Sequence, residues 1–329
     1  MANYDGLPEW VSTWTPLLQA AITQGSHDQY RRGVEQFLRW CEEEYPVKLY
    51  SIRDLDNCLA EYGWHVYETY GGRGKQRLIN AVYGIEHFLP ATRPELVLGR
   101  RSITGWQKLR PPVSHPPIPW HLTTLIAVEM AKMGHAGAGI GLLLSFDCYL
   151  RVSELCSLRT YHISDLQNLA GDPHDSGTLV SLAHCKTGNN QSVRIARGSV
   201  QSLLEQWVRY VSTVQGEGSI LFPPEGLFRE LLHGAQERLG WHRDHHFVPH
   251  SCRHGGATTD YMAVATRLED ILYRGRWASM TSTRRYIQEG PALMAAAARN
   301  VPDWQRDFAR HLAAHVELFL SPFFPDPEF

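Results

Sequence analysis

The segment spanning residues 136–150, AGAGIGLLLSFDCYL, limits the fold of this chain more than any other part of the sequence. Asp147 is its single charged residue, so a helix built from it has no polar face to turn toward water and must be enclosed by other elements. The segment is shorter than the run of about 18 apolar residues that a membrane-spanning helix needs, and no other run in the sequence reaches that length. We therefore expect a soluble, intracellular globular protein that does not contact a membrane.

A first domain is expected over residues 1–112. Ser26 and Gln29 have the spacing of a capping box, and apolar residues then recur along one helix face, namely Tyr30, Val34, Phe37, Leu38 and Cys41. Weaker helical patterns follow over residues 52–62 and 74–88. A chain of 329 residues with 43% hydrophobic content can form two domains with separate cores. We expect the first domain to be a small helical bundle.

The end of this domain is basic and rich in proline. Residues 96–128 contain no acidic side chain, and the basic residues of this stretch are Arg100, Arg101, Lys108 and Arg110. Five prolines follow between positions 111 and 119. Because proline interrupts regular structure, we interpret this stretch as a cationic linker.

The second domain is expected over residues 113–329. Helical patterns cover residues 121–132 and 136–150, and two strand patterns cover residues 178–184 and 191–196, with turn-forming residues at 187–190 between them. A last helix is predicted over residues 303–320. The expected fold class is mainly α: a helical first domain and a mostly helical second domain with a small antiparallel β-sheet.

The composition gives a mixed indication of the partner. The net charge of −2 does not favour a nucleic-acid-binding protein. Of the 32 basic residues, however, five are lysines and therefore 27 are arginines, whose planar guanidinium groups bind phosphate oxygens in pairs. A compositional bias of the genome explains the arginine content equally well. The six cysteines are scattered without a CxxC pair and are expected to be reduced.

Two basic residues stand at positions that suggest chemistry. Arg151 ends the apolar segment and is followed by Glu154, and an arginine that leaves a buried helix needs an anionic partner. That partner is either Glu154 alone, in a structural pair, or a substrate. Lys186 lies at the tip of the predicted hairpin and is the only lysine beyond Lys132. It is either a solvated turn residue or a proton donor.

Two further segments combine histidine, arginine and tyrosine. His250 and Arg253 are three residues apart, so on a helix they share a face and can address one phosphate. Trp277 lies nine residues before Tyr286 in a polar, basic segment. Taken alone, His250 and Arg253 also fit an ordinary helix start, and Tyr286 also fits an amphipathic core position.

Together these residues resemble the tyrosine recombinase and integrase family, whose catalytic domain presents Arg, Lys, His-x-x-Arg, His or Trp, and Tyr in this order. The resemblance covers residues 113–300 and extends to residues 1–112 as a helical core-binding domain. The arginine-rich composition and the Gly-Arg-Trp sequence at 275–277 are most similar to eukaryotic mobile-element recombinases of the Crypton or DIRS type.

The resemblance implies a role for each residue. Tyr286 would attack the scissile phosphate and leave a 3′-phosphotyrosyl bond, while Lys186 would protonate the 5′ oxygen. Arg151 and Arg253 would hold the non-bridging oxygens and offset the charge of the transition state. No metal and no cofactor is implied, since the bond energy is kept in the ester.

The remaining residues of the set would support this chemistry. His250 would exchange a proton with Tyr286 or steady the phosphate. Trp277 would buttress the site, although most family members have histidine at its position. Glu154 would contact Arg151 and support it without itself contacting the phosphate. The candidate DNA contacts are basic residues of both domains, namely Arg100, Arg101, Lys108, Arg110, Arg276, Arg284 and Arg285.

The implied partner is double-stranded DNA, gripped between the two domains by a homotetramer that acts in DNA recombination and integration. The location would be the nucleus in a eukaryote and otherwise the cytoplasm. Three alternatives remain: a type IB topoisomerase, a catalytically silent DNA-binding protein derived from a mobile element, and a structural helical protein. A metal site at residues 242–246, HRDHH, is weighed against an exposed polar loop, and the loop is favoured.

Overall fold

The computed structural model describes residues 21–44, 51–71, 73–111, 115–166, 177–185, 188–241, 247–263, 266–287 and 290–324. The chain divides into two compact units, Met1–Val113 and Ser114–Phe329. Each unit has its own hydrophobic core. Within the described ranges, no helix combines the length and the apolar character needed to cross a membrane.

The first unit is helical in its described part. Its helices are α1 (Gln24–Glu44), α2 (Ile52–Tyr70), α3 (Lys75–Phe88) and α4 (Val97–Leu109). Their apolar faces meet in a core that includes Phe37, Leu59, Leu78, Ile85 and Trp106. The predicted positions of α1, α2 and α3 agree with these bounds, apart from the longer C-terminal part of α2.

The start of α1 differs from the prediction. The helix begins at Gln24, and the hydroxyl of Thr23 accepts a hydrogen bond from the backbone N–H of Ser26 at 3.3 Å. The cap therefore lies three residues before the predicted one. The predicted capping box at Ser26 and Gln29 is wrong, because both residues already lie inside the helix.

The predicted linker is wrong for its first part, which forms helix α4. The buried carboxylate of Asp56 accepts hydrogen bonds from the backbone N–H groups of Leu98 and Gly99, each at 2.8 Å, and so binds otherwise unpaired donors at the helix start. Ile103 and Trp106 then bury one face of the helix in the core. Tertiary contacts therefore order a segment whose composition suggests a linker.

The second unit is built around the apolar segment. Helix α6 (Ala136–Asp147) is buried along its whole length, as the sequence predicts, but it ends three residues before the predicted Leu150. It packs against α5 (Trp120–Lys132). The short helix α7 (Val152–Cys156) follows. The later helices are α8 (Gly198–Gln215), α9 (Glu225–Arg238), α10 (Pro249–Met262), α11 (Leu268–Arg274), α12 (Met280–Ile287), α13 (Gly290–Arg299), α14 (Asp303–Ala314) and α15 (Val316–Leu320).

A three-stranded antiparallel sheet of order β1-β2-β3 lies between α7 and α8. Its strands are β1 (Ile163–Asp165), β2 (Thr178–Cys185) and β3 (Gly188–Arg194). The three-residue strand β1 was not predicted. Cys185 pairs with Gly188, so β3 begins three residues before its predicted start, and the turn-forming residue Asn190 lies inside the strand with a φ of +54°.

The predicted C-terminal helix is divided in two. The backbone of His315 (φ −133°) interrupts it between α14 and α15. Leu312 and Val316 are buried, whereas Trp304 is 68% exposed near the start of α14. The fold class itself is confirmed: a helical unit precedes a mostly helical unit with a small antiparallel sheet.

Candidate active site

Arg151 lies directly before α7, just after the buried helix α6. Its backbone N–H donates to Oε2 of Glu154 at 2.9 Å, and its Nη1 donates to Oε1 at 2.5 Å. Burial raises the pKa of Glu154, but the charge of Arg276 and the hydrogen bonds and charge of Arg151 outweigh it, so the pKa lies below its usual value. The carboxylate is therefore ionised and holds both the backbone and the side chain of Arg151.

Arg276 is placed differently from the prediction. It is 8% exposed, and its Nη2 donates to Oε2 of Glu154 at 2.9 Å, so its guanidinium is not presented to DNA. Its Nη1 and Nη2 also donate to backbone carbonyls, those of Cys148 at 3.4 Å and Tyr149 at 3.3 Å. Arg276 is thus a buried partner of Glu154 rather than a surface contact. Its backbone has a φ of +53°, for which the sequence gives no signal.

Arg253 is fully buried, and its guanidinium is held by two backbone carbonyls. Nη1 donates to the carbonyl of Tyr149, and Nη2 donates to that of Gly275 at 2.5 Å. Tyr149 itself has a φ of +50°, and Arg276 follows Gly275, so each carbonyl belongs to a turn that contains a left-handed residue. Such conformations are rare outside glycine and concentrate at functional sites.

Trp277 covers Arg253. The Arg253 Cζ lies 4.8 Å from the centroid of the indole, within the range of a cation–π contact, and the ring also packs against Tyr149 with centroids 6.0 Å apart. A Cβ atom at position 275 would overlap the indole ring, so Gly275 is needed for this placement. The structure therefore brings Arg151, Glu154, Arg253 and Trp277 into one connected group.

Two glycines allow helix α10 to carry Arg253 to this group. A Cβ atom at Gly255 would overlap the carbonyl oxygen of Ile118, and one at Gly256 would overlap that of Phe146. The close approach of α10 to α6 therefore depends on Gly256, and its close approach to the segment before α5 depends on Gly255. Arg253 projects from the turn of α10 that precedes these glycines.

Two histidines of α10 lie beside the arginines. The rings of His250 and His254 meet edge to face with centroids 4.8 Å apart. Although His250 reaches the surface, desolvation by its neighbours and then the charges of Arg253, His115 and Arg151 lower its pKa to about 4. Burial first, and then His250, Arg253 and His115, lower the pKa of His254 to about 3. Both imidazoles are neutral near pH 7.

The positions of the two remaining predicted catalytic residues are described only in part. Tyr286 lies in helix α12, and its side chain is outside the described part of the structure. The next residue, Ile287, is buried in a small cluster with Tyr149, Trp277 and Ile271, so the backbone of α12 ends beside the arginine group. Lys186 lies outside the described residues, between the paired ends of β2 and β3.

A cavity of about 410 Å³ connects the hairpin with the turn that carries Trp277. Its lining comes from β3 and from the segment around the end of α11, namely Asn190, Gln191, Ser192, Leu272, Tyr273, Arg276, Trp277 and Ala278. The described part of the hairpin, through β3, therefore borders the same cavity as Trp277.

A buried ion network beneath the site was not predicted from the sequence. Asp147, at the end of α6, is fully buried and pairs with Arg197 at 2.5 Å and with Arg274 at 3.3 Å. The Tyr149 hydroxyl donates to Asp260 of α10. The lone charge in the apolar segment, Asp147, was the available signal, since a carboxylate in such a helix needs a cationic partner.

The predicted DNA contacts lie in different surroundings. Arg101, Lys108, Arg110 and Arg284 are exposed. Arg100 already has an anionic partner within the first unit, because its Nε donates a hydrogen bond to Glu86 at 2.6 Å. The side chain of Arg285 is outside the described part of the structure.

The described residues contain no group of three histidine, cysteine, aspartate or glutamate side chains placed to hold a metal ion. The HRDHH segment at 242–246, which the sequence offers as a weak metal candidate, lies outside the described residues.

No family model matches the sequence, and no curated protein matches it. Solved structures do match the fold. The Tn1549 transposon integrase in complex with transposon right-end DNA is 14% identical with a TM-score of 0.58, over 85% of this chain and 96% of that chain. The XerH site-specific recombinase bound to a palindromic difH substrate is 13% identical with a TM-score of 0.55, over 82% and 78%.

A lambda integrase dimer bound to a COC′ core site is 14% identical with a TM-score of 0.55, over 84% of this chain and 75% of that chain. These likenesses span both units of the chain. The chain therefore has the fold of the site-specific DNA recombinases and integrases.

Proposed function

We propose that this protein cleaves and rejoins duplex DNA through a transient 3′-phosphotyrosyl bond to Tyr286, as tyrosine recombinases do. The observation that carries the proposal is the convergence of Arg151, Arg253 and Trp277 in one connected group beside the end of α12. Each of these residues comes from a different element. The shared fold with proteins described as recombinases and integrases on DNA supports the same reading.

The proposed reaction exchanges one phosphodiester for another. The Tyr286 oxygen attacks the phosphorus, the bond from phosphorus to the 5′ oxygen breaks, and Lys186 gives that oxygen a proton. Arg151 and Arg253 offset the negative charge on the non-bridging oxygens. Rejoining is the reverse, with a free 5′-hydroxyl attacking the phosphotyrosine. The number of ester bonds is unchanged, so the reaction needs no nucleotide cofactor.

His250 is suited to accept the proton that Tyr286 loses. Its lowered pKa, about 4, keeps the imidazole neutral at physiological pH, and one ring nitrogen of a neutral imidazole is a proton acceptor. The same neutrality means that the positive charge of the site comes from arginine and lysine. The charge that the two arginines supply at the phosphate is therefore constant across the physiological pH range.

Arg253 requires a further step in this proposal. Its guanidinium is fully buried beneath Trp277, so a phosphate oxygen can reach it only after a covering side chain moves. We therefore expect DNA binding to displace the Trp277 ring. Quenching or a spectral shift of tryptophan fluorescence on DNA binding, absent in Trp277→Phe, measures this step.

The finer assignment is proposed on the resemblance of the sequence. By this resemblance the protein is a mobile-element recombinase of the Crypton or DIRS type that acts as a homotetramer on DNA. It is located in the nucleus if the host is a eukaryote and in the cytoplasm otherwise. The exposed arginines and lysine of the first unit supply phosphate contacts, so affinity for DNA should fall with salt.

The test is capture of the covalent intermediate. The protein is incubated with nicked duplexes that carry a randomised segment, and adducts that survive denaturant are isolated and sequenced. We expect adducts at a defined sequence with the parent chain and none with Tyr286→Phe, which keeps DNA binding because one hydroxyl contributes little to phosphate affinity. Adducts with Tyr286→Phe would exclude this nucleophile.

The same preparation separates the alternatives. Relaxation of supercoiled plasmid by a monomer, without strand exchange between two duplexes, indicates a type IB topoisomerase. DNA binding without any adduct indicates a silent DNA-binding protein. Absence of DNA binding indicates a structural helical protein.

A further inference from the structure

Arg276 combines two properties that seldom occur together in a surface turn. Its backbone has a φ of +53°, a conformation that glycine adopts without strain, and its long side chain is almost completely buried. Its Nε–H is also buried without a hydrogen-bond partner among the described residues. The backbone conformation does not favour arginine at this position, and the side chain is not fully hydrogen-bonded. The hydrogen bonds of its Nη atoms explain why an arginine is present.

The first contact leads to Arg151. Both arginines bind Glu154: Nη1 of Arg151 reaches Oε1 at 2.5 Å, and Nη2 of Arg276 reaches Oε2 at 2.9 Å. Arg276 lies in the turn after α11, whereas Glu154 belongs to α7. The carboxylate is therefore clamped from two elements, and its rotation is blocked. Without Arg276, Glu154 would keep its hydrogen bonds to Arg151 but lose its partner from another element, so the Arg151–Glu154 pair would be held by the start of α7 alone.

The second contact leads to Arg253. The carbonyl oxygen of Tyr149 accepts from Nη1 of Arg253 and also from Nη2 of Arg276 at 3.3 Å. Arg276 further holds the turn through the carbonyls of Cys148 at 3.4 Å and Arg274 at 3.3 Å. The guanidinium reaches the carboxylate and these carbonyls from two separate nitrogens, whereas a lysine ammonium acts from one point.

We propose that Arg276 is a positioning residue that sets the orientation of Arg151, through Glu154, and of Arg253, through the Tyr149 carbonyl. The inference rests on the proposed function, in which these two arginines hold the scissile phosphate. Arg276 does not touch DNA in this scheme. Its removal misplaces both guanidinium groups, and a misplacement of about 1 Å can slow a reaction by roughly 10²-fold.

The test uses Arg276→Gly, which removes the guanidinium and relaxes the left-handed backbone. Single-turnover adduct formation is measured on the captured DNA site with a normal scissile phosphate and with a methylphosphonate, which has no negative non-bridging charge. We expect Arg276→Gly to be roughly 10²-fold slower than the parent on the phosphate. The loss should be several-fold smaller on the methylphosphonate, because a neutral centre depends less on oriented charge.

A double-variant cycle gives an independent readout. In an Arg151→Ala background, where one positioned group is already absent, Arg276→Gly should slow adduct formation less than in the parent. Equal slowing on both substrates, with additive effects, would reduce Arg276 to a purely structural residue and overturn the proposal. A rate equal to the parent's would do the same.

A second variant guards against misfolding of Arg276→Gly, and adduct formation by the parent protein tests the proposed function itself. If Arg276→Gly does not fold, Arg276→Lys replaces it. This variant keeps a charge beside Glu154 but loses the fork, so we expect it to be slower than the parent, with a smaller loss on the methylphosphonate than on the phosphate. A Lys variant as fast as the parent overturns the inference. If the parent itself forms no adduct with any duplex, the proposed function fails, and the inference fails with it.

Discussion

Gly256 offers a direct test of how the fold places Arg253. In Gly256→Ala, the new methyl group would overlap the carbonyl oxygen of Phe146 in α6 and lie 2.7 Å from two ring carbons of Tyr149. The carbonyl is part of a buried helix and cannot rotate away, so α10 must shift instead. Arg253 lies three residues before Gly256 on the same helix and would move with it.

The magnitude follows from two opposing effects. Replacing glycine by alanine inside a helix stabilises it by about 1 kcal/mol. Overpacking a core usually costs ~1–3 kcal/mol, with the upper end expected where backbone must move. We therefore expect Gly256→Ala to lower the free energy of unfolding by about 2 kcal/mol. For a unit of this size, that corresponds to a fall in Tm of roughly 4–8 °C.

The assay compares Gly256→Ala with Gly226→Ala in thermal and urea unfolding. Gly226 lies in helix α9 of the same unit, and a Cβ atom there would meet nothing within 4 Å, so this control should keep or slightly raise the Tm. Adduct formation should fall in Gly256→Ala at a temperature where it is still folded. Equal Tm values for the two variants would refute the close approach of α10 to α6.

Two further predictions concern proton transfer and pH. Lys186→Arg keeps the charge but removes a usable proton, since the pKa of arginine exceeds ~12, so cleavage should slow by ~10²–10⁴-fold and a 5′-thio leaving group should restore much of the rate. The thio substrate should not rescue Arg151→Ala, and equal rescue would contradict the donor role. His254 binds a proton only near pH 3 in the folded chain but near its ordinary 6.5 when unfolded, so the free energy of unfolding should fall as pH drops from about 6.5 toward 3. Urea unfolding at pH 7 and pH 5 measures the fall, which His254→Gln should reduce, and an unchanged pH dependence in that variant would contradict the assignment.

The sequence predicts most of the helices because their apolar residues repeat at helical spacing. The nearly all-apolar segment at 136–150 predicts a helix without a solvent-exposed face, and α6 has that property. Helix α4 was missed because its glycines and basic residues resemble a linker, while the carboxylate that caps it, Asp56, lies far away in the sequence. Strand β1 was missed because three residues cannot display a period. The interruption at His315 has no proline or glycine to signal it.

The candidate site was predicted as a set of residues but not as a geometry. The spacing of His250 and Arg253 suggests a shared helix face, yet it does not show that Arg253 is buried beneath Trp277. Arg276 appeared to be one more basic residue near the tyrosine. Its left-handed backbone depends on contacts with α7 and with the turn after α6, and contacts between distant segments leave no local pattern.

The complete burial of α6 also has a consequence for how the site is lost. A helix without a solvent-facing side cannot detach along one face, and the carbonyl that holds Arg253 belongs to the turn directly after it. Hydrogen exchange at the α6 amides and release of that carbonyl therefore require the same cooperative opening of the second unit. Fluctuations at the surface of the unit, by contrast, should leave this carbonyl in place, so we expect Arg253 to lose its position only when α6 also opens.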